Sequence, residues 1–113
     1  GLPGHSQAEL IERQMAGPGS LIAFELAGGV EAGRRLLKTV RVPTLAVSLG
    51  GVESLIQHPA SMTHAGVDRP SRIAAGITDG LVRLSVGCET RDDLVEDLRR
   101  ALDAAVPEPA GVP

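Results

Sequence analysis

Apolar residues recur along the first third of the chain with spacings that switch between helical and strand-like periods. In residues 7–15 the apolar positions Leu10, Ile11 and Met15 fit one side of a helix, and a Gly-Pro-Gly sequence ends it. Residues 20–26 form a short apolar run between glycine-rich turns, which predicts a strand. Residues 30–40 have apolar and charged positions on opposite sides, which predicts a helix that covers a sheet.

Shorter elements follow in the remainder of the chain. We expect a strand at residues 45–49, a helical turn at 53–57, a short strand at 60–63, a brief helix at 70–75 and a strand at 81–86. Thr90 and Asp93 have the spacing of a capping box that opens a last helix. Its apolar face comprises Leu94, Leu98, Ala101, Leu102 and Ala105. The order predicts an α+β fold, with a small, mostly antiparallel sheet of three to four strands covered by helices on one side.

Composition narrows the class of protein. The length of 113 residues fits one small domain, which we place at residues 1–106, with a flexible tail rich in Pro, Gly and Ala at 107–113. The net charge of −3, with both signs dispersed, gives no reason to expect nucleic acid or an anionic membrane as a partner. One cysteine and the absence of a long apolar run favour a cytoplasmic protein. The missing initiator methionine and the lone Phe24 lead us to expect that an N-terminal part is missing.

Two sequence blocks, residues 44–64 and 76–89, carry the candidate chemistry. Ser48 ends an apolar run and precedes two glycines, which let backbone and ligand come close. Arg83 is the one charged residue in an apolar strand, and its rigid guanidinium suits a carboxylate held in a pocket. From the residues alone, an ion pair of Arg83 with Glu53 or Asp79 is an equally good interpretation.

Other candidates favour structural roles. His58, His64 and Cys88 match no compact zinc spacing, so we interpret the histidines as structural. Two adjacent glycines at residues 50–51 lack the remainder of a phosphate-binding loop and indicate a tight turn.

Four stretches resemble, in order and spacing, the C-terminal domain of the pyridoxal-phosphate (PLP) enzymes of cysteine and methionine metabolism. The stretches are G-L-P-G-H-S-Q-A-E-L-I-E-R-Q-M, P-G-S-L-I-A-F-E-L and the two blocks described above, and the resemblance runs through residues 1–106. This family includes cystathionine γ-synthase, cystathionine γ-lyase and methionine γ-lyase. The resemblance implies the C-terminal domain fold of fold-type I PLP enzymes.

The resemblance also implies roles for individual residues. Arg83, in R-L-S-V-G, is similar to the arginine that binds the substrate α-carboxylate, and Ser48 is similar to a serine beside that carboxylate. At Val47, members that handle cystathionine commonly have a glutamate, which can meet the distal ammonium of that substrate. The apolar residues Val47, Leu49 and Met62 suit an uncharged side chain better, so the chain most resembles the methionine γ-lyases.

The activity implied is PLP-dependent elimination of a thiol from methionine or a related sulfur amino acid, giving an α-keto acid and ammonia, in a homotetramer. The alternatives are cystathionine γ-synthase, cystathionine γ-lyase or homoserine-ester sulfhydrylase of the same family, or a non-catalytic carboxylate-binding module. The single lysine, Lys38, lies on an amphipathic helix and does not match the Schiff-base lysine. We therefore expect PLP to be bound by the missing N-terminal part, and this chain alone to contain no catalytic residue and to be inactive.

Overall fold

The computed structural model describes residues 2–106, so the predicted tail at 107–113 lies outside the described residues. The helices in this range are α1 (Ala8–Gln14), α2 (Gly29–Thr39), α3 (Arg69–Ala74) and α4 (Arg91–Ala105). The strands are β1 (Leu21–Glu25), β2 (Thr44–Leu45), β3 (Leu55–Gln57) and β4 (Leu81–Ser85), with a 3-10 turn at Pro59–Ser61.

The four strands form one sheet in the order β1-β4-β3-β2. Strand β4 is antiparallel to both of its neighbours, β1 and β3, whereas β2 runs parallel to β3. The register places Leu84 opposite Ile22 on one side and opposite Ile56 on the other. The last strand of the chain therefore lies in the middle of the sheet, between the first and the third.

The core lies on one face of this sheet, beneath α2 and α4. Val82 and Leu84 of β4 are 0% and 3% exposed, and they join a cluster that includes Leu36 of α2 and Ala101 of α4. The two helices pack against each other, and α2 also contacts β4. The predicted α+β fold, with a mostly antiparallel sheet and helices on one side, is confirmed.

Three predicted elements were wrong or too long. The helical turn expected at residues 53–57 is strand β3, whose three residues are all buried, so that no one-sided period marks it as a strand. The strand expected at 60–63 is instead the 3-10 turn Pro59–Ser61 and the turn that follows it; the 3-10 turn begins at Pro59, a residue that has no N–H for a sheet ladder. The strand expected at 45–49 ends at Leu45, because the carbonyls of Val47 and Ser48 accept from Arg83 rather than from β3.

Helix α4 begins where it was predicted, although the capping box does not form. Thr90 is the N-cap residue, but its side chain makes no capping hydrogen bond. Asp92 and Asp93 lie in the first turn, where their charge favours the helix dipole. Asp97 of α4 is a buried polar residue that the sequence analysis did not predict: it accepts hydrogen bonds from the backbone N–H groups of Arg41 and Val42 at 2.7 and 2.8 Å. This contact connects α4 to the segment that leads into β2.

His58 follows β3 and is completely buried. Its Nε2 donates to the backbone oxygen of Asp79 at 2.7 Å, and its Nδ1 lies 2.7 Å from the Ser61 hydroxyl. A carbonyl oxygen only accepts, so Nε2 carries a proton and Nδ1 is available to accept from Ser61. The ring packs on Gly33 of α2, where a Cβ would lie 2.5 Å from it. The structural interpretation of His58 therefore agrees with its contacts.

The Asp79 carboxylate is held by two arginines from α3. Arg69 donates to it at 2.8 and 3.0 Å, and the buried Arg72 donates at 2.5 Å. Hydrogen bonds from Arg69 and then Arg72 lower the pKa of Asp79 to about 2. Asp79 therefore connects two parts of the fold: its carboxylate binds the arginines of α3, and its backbone oxygen binds His58.

We predict that Gly33→Ala destabilises the protein, because the added methyl group would overlap the buried, doubly hydrogen-bonded imidazole. Overpacking of this kind costs about 1–3 kcal/mol in the free energy of unfolding, whereas alanine for glycine in a helix would otherwise gain up to about 1 kcal/mol. Urea unfolding measures the difference. Gly66→Ala is the control, since nothing lies within 4 Å of the position of its Cβ. Equal or greater stability of Gly33→Ala would show that the contact with His58 is not a constraint.

A second prediction concerns Asp79 and pH. Its folded-state pKa of about 2 is below the value of 3.8 for an unperturbed group, so its ion pairs stabilise the fold fully above pH 4. That contribution is lost as the pH falls from 4 toward 2. We expect the wild type to melt at a higher temperature than Asp79→Asn at neutral pH, and the difference to shrink over this acidic range. Asp103→Asn, at an exposed carboxylate outside the first turn of α4 and without an ion pair among residues 2–106, removes the same charge and serves as the control. A difference that stays constant with pH would contradict the assignment.

Candidate functional site

Arg83 projects from the middle of β4, on the face of the sheet opposite the core. Its neighbours along the strand, Val82 and Leu84, are buried beneath the helices, and side chains alternate between faces in a strand. Ala23 of β1 and Gln57 of β3 are directly opposite Arg83 in the register. The β4 pairing therefore directs the guanidinium away from α2 and α4.

The guanidinium of Arg83 contacts the segment that follows β2. Its Nη2 donates to the backbone oxygen of Ser48 at 2.9 Å and to that of Val47 at 3.2 Å. The ion pair considered with Glu53 or Asp79 is absent: Asp79 binds Arg69 and Arg72, and Glu53 accepts from the Thr44 hydroxyl at 3.3 Å. Arg83 is thus held by two neutral carbonyl groups, so its positive charge is not compensated by either carboxylate.

Three of the five N–H groups of Arg83, on Nε and Nη1, have no acceptor among residues 2–106. Carbonyl groups fix one nitrogen of the planar fork, and the other two remain available to an anion. A carboxylate is the ligand that complements such a fork, because charge-assisted hydrogen bonds to both of its oxygens are strong and directional. The arrangement supports an anion site at this face of the sheet.

Of the five predicted site residues, four come together and one lies apart. Val47, Ser48 and Leu49 are consecutive in the segment that contacts Arg83; the side chains of Val47 and Leu49 are 57% and 71% exposed. The Ser48 hydroxyl lies 3.4 Å from both the amide nitrogen and the oxygen of Gly50, which indicates a turn. Met62 instead lines a shallow depression beside α2, and its sulfur accepts from the His58 amide at 3.4 Å. The roles of all five in substrate binding stay predictions.

Two further polar residues, Ser54 and Glu89, were not predicted as part of the site. The Glu89 carboxylate accepts from the amide and the hydroxyl of Ser54 at 2.6 and 2.8 Å. Both hydrogen bonds lower the pKa of Glu89, and the bond from the Ser54 amide has the larger effect. A possible signal was a serine directly before the apolar pair Leu55-Ile56, where an unpaired hydroxyl would be costly to bury.

Gln57, opposite Arg83, is another residue that sequence reasoning missed. It is only 6% exposed, and its side-chain oxygen Oε1 has no hydrogen-bond partner within the described residues. Because it is directly opposite Arg83 in the register, its side chain lies on the same face of the sheet as that of Arg83.

Residues 2–106 contain no cluster of His, Cys, Asp and Glu that could hold a metal ion. His64 lies beside the Thr63 hydroxyl, and Cys88 is exposed. In the same part of the chain, no helix has the length and apolar character needed to span a membrane.

The residues present do not fit a site for PLP. Lys38, the single lysine of the sequence, is exposed on α2, which covers the face of the sheet opposite Arg83. It cannot meet a cofactor that lies beside the Arg83 fork without a rearrangement of the core. What the chain provides is a fixed cation and the segment at residues 47–49 around it.

Comparison with known proteins identifies the class. The family model described as "Cys/Met metabolism PLP-dependent enzyme" matches residues 1–103. The L-methionine gamma-lyase of Porphyromonas gingivalis is 52% identical over 106 residues, 94% of this chain and 27% of the relative. Mouse cystathionine gamma-lyase is 50% identical over 107 residues, 95% of this chain and 27% of the relative.

A solved structure gives the same result at the level of fold. The crystal structure of cystathionine gamma synthase from Xanthomonas oryzae pv. oryzae in complex with cystathionine superposes with a TM-score of 0.82 at 53% identity, covering 93% of this chain and 27% of that one. The chain belongs to the Cys/Met metabolism PLP-dependent enzyme family. It spans 26–27% of the length of the relatives that it matches.

Proposed function

We propose that this chain is the substrate-orienting C-terminal part of a PLP-dependent γ-lyase that eliminates a thiol from methionine or a related sulfur amino acid, leaving an α-keto acid and ammonia. The observation that carries the proposal is the Arg83 fork, which two backbone carbonyls hold and which keeps three N–H groups available. Family membership and relatives named as L-methionine gamma-lyases support the reaction class.

In this proposal, the chain's own residues bind and orient the substrate. Arg83 binds the α-carboxylate through Nε and Nη1, while Ser48 places its hydroxyl beside the same group. A substrate held at its carboxylate has one of its ends fixed, which lowers the entropic cost of bringing its reacting carbon to the catalytic groups. PLP and the lysine that binds it belong to a part of the enzyme N-terminal to this chain, so this chain alone is inactive. We also propose that the complete enzyme is a homotetramer in the cytoplasm.

Val47 favours methionine over cystathionine in the same site. The side chain of Val47 is uncharged, and the backbone carbonyl of the same residue holds Arg83. In this proposal, a substrate bound to Arg83 has its distal end beside the exposed apolar side chains of Val47 and Leu49. A second candidate, cystathionine synthesis or cleavage, is supported by relatives and a solved structure that carry those names at 50% and 53% identity. The two candidates differ in the charge expected around residue 47.

We predict that Arg83→Ala raises the KM for L-methionine at least about 30-fold in the complete enzyme, because truncating one partner of a desolvated charge pair costs roughly 2–5 kcal/mol. Steady-state kinetics with L-methionine measures this. Arg91→Ala removes the same charge from an arginine that is exposed and pairs only with Asp92, and we expect no change in KM. An unchanged KM for Arg83→Ala would remove Arg83 from the substrate site.

We predict that Val47→Glu shifts specificity toward cystathionine. A carboxylate at this exposed position can attract the distal ammonium of cystathionine, an exposed pair worth up to about 1 kcal/mol, or about fivefold in kcat/KM. The measurement is the ratio of kcat/KM for cystathionine to that for methionine. Val52→Glu, which adds the same charge at an 81% exposed site in the same loop, is the control. A ratio that does not change in Val47→Glu would show that Val47 does not contact the distal end of the substrate.

A further inference from the structure

The carboxylate of Glu89, which follows β4, holds a buried serine at the start of β3. Its two oxygens accept from the amide and the hydroxyl of Ser54, at 2.6 and 2.8 Å. The Ser54 hydroxyl also accepts from the amide of Gly87 at 2.8 Å, and Ser54 is completely buried. Every polar atom in this contact therefore has a partner, which is what allows a serine to be buried there without a penalty.

The two backbones also approach each other closely at this point. A Cβ at Gly87 would lie 2.5 Å from the backbone of Glu53 and Ser54. The amide of Cys88 donates to the backbone oxygen of Val52 at 2.8 Å. The segment after β4 thus fixes the end of the loop that joins β2 to β3, and only glycine at residue 87 permits the distance.

Ser54 transmits this constraint to β2. Its backbone oxygen accepts from the amide of Thr44 at 2.8 Å, which sets where β2 begins, and the amide of Ala46 donates to Ile56 at 3.2 Å. The next two residues are Val47 and Ser48, whose carbonyls hold the Arg83 guanidinium. Hydrogen bonds from Glu89 to Ser54 and from Ser54 to Thr44, followed by the short backbone segment from Thr44 to Ser48, therefore join Glu89 to the groups that orient Arg83.

We propose that Glu89 is a positioning residue of the Arg83 site: by holding Ser54, its carboxylate fixes the path of the Val47 and Ser48 backbone against which the guanidinium is oriented. This inference rests on the proposed function, since it assumes that Arg83 binds the substrate carboxylate. Glu89 itself does not touch the substrate in this account. Glu89 instead determines how accurately Nε and Nη1 of Arg83 face the substrate. A displaced guanidinium binds a carboxylate with less preference over an uncharged group.

The test compares L-methionine with L-methioninamide, which lacks the negative charge, in the complete enzyme and in Glu89→Gln. Glutamine keeps the size of the side chain but replaces one acceptor oxygen by an NH₂ donor, so it cannot accept from the amide and the hydroxyl of Ser54 through two separate oxygens, as Glu89 does. The preference for the acid over the amide is measured as the ratio of their kcat/KM values. We expect this ratio to fall about tenfold in Glu89→Gln through a higher KM for methionine. A misplacement of about 1 Å can cost about 100-fold in rate, and the displacement expected here is smaller.

This ratio separates positioning from a general loss of stability. A variant that only folds less well has fewer active molecules, which lowers kcat/KM equally for both substrates and leaves the ratio unchanged. Glu53→Gln is the matched control: it removes a charge from the same loop, at a carboxylate that accepts only from the Thr44 hydroxyl, and we expect the wild-type ratio. If Glu89→Gln does not fold, Glu89→Asp tests the same contact, since it keeps the charge but is one methylene shorter and cannot hold the amide and the hydroxyl of Ser54 in the same position.

The outcomes distinguish the two proposals. A wild-type enzyme with no preference for methionine over its amide would overturn the proposed role of Arg83. A wild-type preference that persists unchanged in Glu89→Gln, or in Glu89→Asp where that variant is used, would overturn only the role of Glu89. A preference that falls in these variants but not in Glu53→Gln supports both.

Discussion

The alternation of side chains along β4 is the constraint on which the rest of the structure depends. The strand lies between two partners, and its residues Val82 and Leu84 fill the centre of the core beneath α2 and α4. A shift of the register by one residue would exchange the two faces and place the Arg83 guanidinium among Leu36 and Ala101. Burying an unpaired charge there would cost several kcal/mol. The direction in which the candidate site faces is therefore set by the hydrophobic core.

Elements with a clear period or clear boundaries could be predicted from the sequence. Helix α2 has charged and apolar sides, β4 has a long apolar run, and α4 has a regular apolar face, so local pattern and tertiary packing agree. Strand β3 and the following turn were misassigned because they have neither. Three consecutive buried residues show no period, and the Pro59 turn is determined by its buried neighbour His58 and by the geometry of proline.

The candidate site was predictable in its residue types but not in its connections. An arginine in an apolar strand and a serine before two glycines indicate chemistry by themselves. Arg83 binds the backbone carbonyls of Val47 and Ser48. Because every residue has a backbone carbonyl, no residue type in the sequence indicates this contact. The same holds for the shorter of the two hydrogen bonds of Glu89, which comes from the backbone amide of Ser54. Met62 was assigned through its apolar character, which suits the depression beside α2 equally well.

The strand order also has a consequence for synthesis of the chain. Strands β1 and β3 do not pair with each other, and both depend on β4, which is the last strand to be made. Until β4 emerges from the ribosome, β1 lacks the one strand that it pairs with among residues 2–106, and the apolar residues of β1 and β3 have no common core. Sheet formation must then bring distant parts of the chain together, a slow step during which exposed strand edges invite aggregation.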